Sequence, residues 1–280
     1  MFADQRRTTG GTMKLTGERP MEGRTPDSLL ALHEAGYREV AACLGTGLIL
    51  DVGCGVGDES ITLASEGRRL FGIDYSADTA ILASQEWGTN GSKEHLIDTA
   101  CMDGGTLAFR SECFDAVCSS HIIEHFTDPE RHVAELARVC SDSGAVYVLT
   151  PNRPADFENP FHVYLFEQAQ LASMLRLFFE DVEVKGLNGD EALLADFATR
   201  RSSGERLLKL DYFNLRRRLP RKLYVWAYEH ALPLVYRALG SNVSGVGSGL
   251  DHTHLYLTDE VDDTTPVLFA IAKGPRRPWT

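Results

Sequence analysis

The chain has 280 residues, 43% of them hydrophobic, and a formal net charge of −12. That length accommodates one sizeable α/β domain with an insertion or a small appendage, and the acidic balance argues against nucleic acid as a partner. The six cysteines (Cys43, Cys54, Cys101, Cys113, Cys118 and Cys140) form no Cys-x-x-Cys pair. With no long apolar leader and no run of membrane-spanning length, they read as reduced thiols of a cytoplasmic protein, not as a disulfide frame or zinc site.

Residues 1–14 are polar and glycine-rich and are expected to be disordered. A helix is predicted over Ser28–Leu44, with Asp27 as its cap. Strands and helices then alternate, as in a parallel sheet covered on both faces. Strands are expected at Leu48–Gly53, Arg69–Tyr75, Ile97–Met102, Phe114–Ser119, Gly144–Thr150 and Asp181–Leu187. Helices are expected at Asp58–Glu66, Ala77–Trp87, Pro129–Val139 and Glu167–Phe178, and a last strand at Pro266–Lys273, ended by Gly274-Pro275. Between the last two strands, residues 188–250 form a segment rich in arginine and aromatic residues, helical in its middle, with a glycine-serine hinge at Gly240–Gly249. The domain division is therefore 15–187 with 251–280 as the core, and 188–250 as a helical insertion.

The run Ile49-Leu50-Asp51-Val52-Gly53-Cys54-Gly55-Val56-Gly57 reads as a buried strand entering a glycine loop. Gly53, Gly55 and Gly57 let backbone approach a nucleoside-bearing ligand without side-chain interference. Asp74 ends the second strand, where a carboxylate can accept from both ribose hydroxyls. Asp103 ends the third, placed to accept from an adenine amino group while Met102 packs on the ring. NAD is the natural rival for such a cleft. The loop, however, is Gly-x-Gly-x-Gly, and Gly-x-Gly-x-x-Gly would need glycine where Asp58 stands. Asp58 and Glu59 would also repel a pyrophosphate at the helix start. S-adenosylmethionine (SAM), which has a cationic sulfur and no phosphate, tolerates them.

With these residues the chain resembles the class I SAM-dependent methyltransferases, in the methyltransferase type 11 (UbiE-like) group. The matching stretches are Leu48–Gly57, Gly72–Ser76, Asp103–Phe109, Phe114–His125 and Gly144–Asn152 before Phe166–Leu187. The resemblance implies a Rossmann-like α/β fold: a seven-stranded sheet whose final strand, Pro266–Lys273, is antiparallel, with the helical insertion before it. It implies SAM as cofactor and S-adenosylhomocysteine (SAH) as product. By that resemblance the loop glycines hug the cofactor's amino-acid part, the acid at Asp74 binds ribose and the acid at Asp103 meets adenine. Asp51, Tyr75 and Ser119 complete the expected cofactor-binding set.

Methyl transfer to a hydroxyl needs alignment and a base. The fourth strand ends in Ser119-Ser120-His121 with no Asn/Asp-Pro-Pro-aromatic sequence, which lowers methylation of an adenine or amide nitrogen. His121 is the first candidate base because imidazole titrates near neutrality, and His162, after the fifth strand, is the second. Each can equally be a packing residue; His125 reads as closing a turn. His121-Ile122-Ile123-Glu124-His125 also spells the H-x-x-E-H of zinc peptidases, but that chemistry needs a helix and a third ligand, so no metal is expected here. Nor is one expected at Asp251-His252-Thr253-His254, which reads as the opening of the apolar run Leu255-Tyr256-Leu257.

The insertion reads as a lid over the acceptor, as a surface against anionic lipid, or as a helical pair with a solvated basic face. Thr16–Pro20, Thr150–Arg153 and Asn159–His162 look similar to bacterial methyltransferases acting on sugars. The expected activity is therefore O-methylation of a sugar, oligosaccharide or glycosylated metabolite by a monomer or homodimer. The acceptor is a small molecule or glycan, contact with a membrane is at most peripheral, and quinone, lipid and small-amine acceptors stay open. Rivals from other classes are an NAD-linked oxidoreductase and a SAM-binding protein without catalysis.

Overall fold

A computed structural model describes residues 25–88, 97–156, 162–209, 245 and 247–277. The expected disordered N-terminus, the Thr16–Pro20 segment, Asn159–Phe161 and the aromatic-basic stretch from Tyr212 to Tyr236 lie outside the described residues.

The chain runs α1 (Asp27–Cys43), β1 (Gly47–Val52), β2 (Arg68–Asp74), α2 (Ala77–Trp87), β3 (Ile97–Cys101), β4 (Phe114–Ser120), α3 (Pro129–Val139), β5 (Cys140–Pro151), α4 (Gln168–Leu175), β6 (Phe179–Gly189), α5 (Glu191–Lys209), β7 (Leu255–Thr258) and β8 (Val267–Pro275). The strands form one sheet in the order β3-β2-β1-β4-β5-β8-β6-β7. β1 to β5 are mutually parallel, and β8 inserts antiparallel between β5 and β6. The expected antiparallel last strand is present. The sheet holds eight strands rather than seven, because Leu255-Tyr256-Leu257 pairs along the β6 edge as β7.

Each face of the sheet buries its own cluster. Ile49, Leu70, Cys118, Tyr147 and Phe269 meet Leu32, Tyr37 and Val40 of α1 and Leu193 of α5. Leu50, Val117, Val146, Val148 and Leu268 meet Val133 and Leu136 of α3 and Leu171 and Leu175 of α4. At roughly 1.5–3 kcal/mol for each large apolar side chain fully buried, this two-sided burial dominates the stability. It also explains the uninterrupted apolar runs of the central strands.

Local signals set the helix starts. Ser76 caps α2 through the Thr79 amide, and Asp128 caps α3 ahead of Pro129. Glu167 and Gln170 form a reciprocal capping box on α4. Two expectations fail here. Asp27 is not a cap: Pro26 holds that place, and the Asp27 carboxylate accepts from the Gly247 and Gly249 amides at 3.2 and 2.9 Å. This bond fastens the end of the glycine-serine stretch that reads as a hinge. The helix expected over Asp58–Glu66 is only a four-residue 3-10 turn, Ser60–Leu63. The Ser60 hydroxyl is bonded to Asp51, Leu63 is buried, and the tight Ser65–Arg68 bridge leads straight into β2, which leaves room for a single turn.

Among the described residues no helix is long and apolar enough to cross a membrane.

Candidate active site

The glycine loop follows β1, and all three of its glycines have positive φ: 85° at Gly53, 57° at Gly55 and 89° at Gly57. They serve different ends. The Gly53 and Cys54 amides both donate to the Ile73 carbonyl, at 2.7 and 2.9 Å, which pins the loop to β2. A Cβ on Gly53 would come within 2.2 Å of Ile122. A Cβ on Gly55 would meet nothing within 4 Å, so the backbone there faces open space where a ligand can lie against it.

The neighbouring strand ends line the same edge of the sheet. Asp74, at the end of β2, is almost fully buried, and one of its oxygens accepts from the Ser76 amide at 2.8 Å. Tyr75 beside it is 72% exposed, an aromatic side chain next to a buried carboxylate. Met102 follows β3, its sulfur accepting from the Ala108 amide at 3.2 Å. The exposed Asp103 accepts from the Gly105 amide at 2.8 Å. An open glycine backbone, two strand-end carboxylates, an exposed ring and a thioether fit an adenosine-bearing amino acid. Asp58 and Glu59, just ahead of the 3-10 turn, do not suit a pyrophosphate.

Two residues of the expected cofactor set face inward instead. Asp51 is fully buried between β1 and α1. The Tyr37 hydroxyl donates to its two oxygens at 3.3 and 3.1 Å, and Ser60 donates to one of them. Burial pushes its carboxyl up to about 6 against hydrogen bonds from Ser60, Tyr37 and Cys118 that favour the charge. It fastens the loop to α1. Ser119 is also fully buried and sits 2.9 Å from His132 Nε2, while His132 Nδ1 lies 2.8 Å from the Gly104 carbonyl. Burial lowers the His132 pKa to about 4, so the ring is neutral: Nδ1–H donates to Gly104 and Ser119 donates to Nε2. Ser119 thus braces the loop before Gly105 from behind.

His121 follows directly on the end of β4, with a left-handed φ of 55°, a conformation sparsely populated outside glycine. Its amide donates to the Leu149 carbonyl at 2.8 Å. Its ring packs on His33 of α1 with centroids 4.3 Å apart. Nδ1 lies 3.6 Å from Glu124 Oε1, and Nε2 is buried without a hydrogen-bond partner.

Glu124 is the residue the sequence reading missed. It is fully buried, accepts from the Thr150 hydroxyl at 3.0 Å, and has a second oxygen without a hydrogen-bond donor. Burial alone would raise its pKa, but the neighbouring imidazole of His121, 3.6 Å away, with His125 and His162 nearby, brings it to about 2. Both candidate bases therefore flank one buried carboxylate. His162 is further held by Asp156, 3.1 Å from Nδ1, and its ring meets that of His125 edge-on at 5.4 Å. The signal for Glu124 lay in the H-x-x-E-H spacing, which reads as a peptidase pattern until the fold places it at a strand end.

The histidines of the His252–His254 segment have other partners. His252 pairs with Glu34 and His254 with Asp190, and the Asp251 carboxylate caps the turn through the Thr253 amide.

Residues 50–148 match the family model described as a methyltransferase domain. A probable SAM-dependent methyltransferase of Mycolicibacterium smegmatis is 30% identical over 179 residues, 61% of this chain and 66% of that protein. A ubiquinone biosynthesis O-methyltransferase of Rhizobium rhizogenes is 31% identical over 105 residues, 38% of this chain and 41% of that one. The chain thus spans less than two thirds of the length of the curated relatives it matches. A Haemonchus contortus phosphoethanolamine N-methyltransferase solved with SAH superposes with a TM-score of 0.54 at 19% identity, covering 89% of this chain and 53% of that one, and shows the fold. Together with the glycine loop and the acidic strand ends, these likenesses show a methyltransferase domain over residues 50–148, similar to that of SAM-dependent methyltransferases, with SAM as its cofactor.

Proposed function

We propose that the chain transfers the methyl group of SAM to a hydroxyl oxygen, with a sugar-type hydroxyl first among the acceptors. The observation that supports this reading is His121: an imidazole at the end of β4 whose Nε2 is buried without a partner while Nδ1 faces a buried, ionised carboxylate.

Bound SAM supplies a methyl group on a cationic sulfur that leaves as a neutral thioether. The loop at Gly55, with Asp74, Tyr75, Met102 and Asp103, would hold it. With His121 Nδ1 beside the Glu124 carboxylate, 3.6 Å from Oε1, Nε2 would take the proton of the acceptor hydroxyl as its oxygen bonds to the methyl carbon. A base of this kind contributes about 10²–10⁴-fold. Alignment in a cleft that excludes water contributes roughly 7–11 kcal/mol more.

Three of the side chains behind the sugar resemblance are held within the protein. Thr150 bonds Glu124, Asn152 bonds the backbone of Asp262 and Thr265, and Arg153 bonds the Leu165 carbonyl and Glu167. The hydroxyl therefore rests on His121, and the sugar on the resemblance.

The test is a labelled-SAM assay over glycosides, polyprenyl phenols and phosphoethanolamine, with wild type and His121→Ala. The reading expects label on an oxygen acceptor, a drop in kcat of about 10²–10⁴-fold in the variant, and SAH affinity within about two-fold of wild type. Full turnover by His121→Ala, or label on nitrogen alone, refutes it.

A further inference from the structure

We propose that Glu124, His125 and His162 form a binding site for a divalent transition metal of the zinc type, at the acceptor end of the cleft. One ligand atom from each of the three lies within 4.8 Å of the others. Tetrahedral coordination at about 2.0–2.2 Å puts ligand atoms about 3.4 Å apart, a contraction that small side-chain rotations supply.

Three further observations bear on the assignment. Glu124 is fully buried, and its Oε1 has no hydrogen-bond donor; a buried carboxylate oxygen left in that state is costly unless a cation meets it. Its other oxygen is held by the Thr150 hydroxyl at 3.0 Å, which fixes the carboxylate plane. The Asp156 carboxylate, 3.1 Å from His162 Nδ1, orients that ring. A carboxylate behind a ligating imidazole is the usual support of such a site.

The donor set selects the metal. Two imidazoles and one carboxylate suit zinc and its neighbours, whereas magnesium and calcium prefer oxygen ligands. Three protein ligands leave a position open, and an acceptor oxygen can fill it. That last role rests on the methyltransferase reading, but the site itself does not. Nor is this the peptidase arrangement. The segment is a strand end and a 3-10 turn, the left-handed His121 turns to His33 instead of joining the set, and the third ligand comes from beyond β5.

The experiment titrates chelator-stripped full-length protein with Zn2+, Co2+ and Mg2+. The expected result is one equivalent of Zn2+ per chain, visible d–d bands with Co2+, and no saturable Mg2+ binding. His125→Ala and His162→Ala should each weaken Zn2+ at least ten-fold, with unchanged circular dichroism, while His254→Ala leaves it unaltered. Zinc-edge anomalous scattering from wild-type crystals covers the case in which the variants misfold: a peak among the three side chains supports the site. Absence of stoichiometric Zn2+, saturable binding of Mg2+ alone, binding unaffected in both folded histidine variants, or a peak elsewhere overturns it. SAH titration of the same samples separates the two readings. SAH bound without zinc refutes the metal alone, and zinc bound without SAH refutes the cofactor assignment alone.

Discussion

Replacing Asp51 by asparagine tests the electrostatics of the loop anchor. Burial raises the Asp51 carboxyl from 3.8 to about 6, with the charge of Asp74 adding to the shift. The folded protein therefore favours the neutral acid. The stability this contributes is fully present below the unfolded pKa and is lost as pH rises through the folded one. The interval is about two units at 1.36 kcal/mol each, so about 3 kcal/mol should disappear between about pH 4 and pH 8. The amide of the Asp51→Asn variant cannot ionise and lacks that loss. It keeps one acceptor oxygen for Tyr37 or Ser60 and turns its NH2 group against the other donor, at a cost of about 1–3 kcal/mol. Wild type should thus be clearly more stable near the acid end of that range, and the gap should close or invert at the alkaline end. Urea unfolding at half-unit intervals and constant ionic strength measures the difference. The raised carboxyl of Glu59, at about 7, acts in the same direction in both proteins and largely cancels. Parallel stability curves for wild type and Asp51→Asn would show that Asp51 is ionised in the fold and that the reasoning is wrong.

Two glycine variants should behave differently. Gly53→Ala places a Cβ within 2.2 Å of Ile122 and should cost more stability than the roughly 1–2 kcal/mol of a left-handed alanine, as read by thermal melting. Gly55→Ala should cost only that backbone penalty yet weaken SAH at least ten-fold by calorimetry, because its methyl enters the open side of the loop; unchanged SAH affinity would remove Gly55 from the cofactor surface. Asp74→Ala should weaken SAH at least ten-fold while the melting curve stays cooperative, and wild-type affinity would end its ribose assignment. His132→Leu leaves the Ser119 hydroxyl and Gly104 carbonyl buried without each other's bridge. A loss of about 2–4 kcal/mol in urea unfolding is expected, and a loss under about 0.5 kcal/mol, the scale of an ordinary surface change, would contradict the tautomer assigned to the ring.

The architecture was largely legible before any coordinates. Apolar runs ending in glycine or aspartate marked the parallel strands, and the helices expected at Ala77–Trp87 and Pro129–Val139 have those bounds in the structure. Such signals are local, each carried by a few adjacent residues, so a linear reading recovers them. The glycine loop and the acids at the strand ends are legible for the same reason. The contacts that a linear reading does not reach have a different cause. Asp51 and Ser119 lie in the right motif but turn their polar atoms to Tyr37 and His132, partners set by how α1 and α3 pack on the sheet. The helix after the loop shrank to one turn because Ser60 is drawn to Asp51 and the chain must re-enter the sheet at Arg68.

By itself the sequence determined the order of strands and helices and the place of the glycine loop and the strand-end acids, since hydrophobic period and loop glycines act over a few residues. Only the tertiary structure decided which face each strand-end side chain presents, and that His121, His125 and His162 surround the buried Glu124. Those contacts join segments distant in the chain, and burial, which sets both the protonation and the reach of these groups, exists only once the sheet is packed.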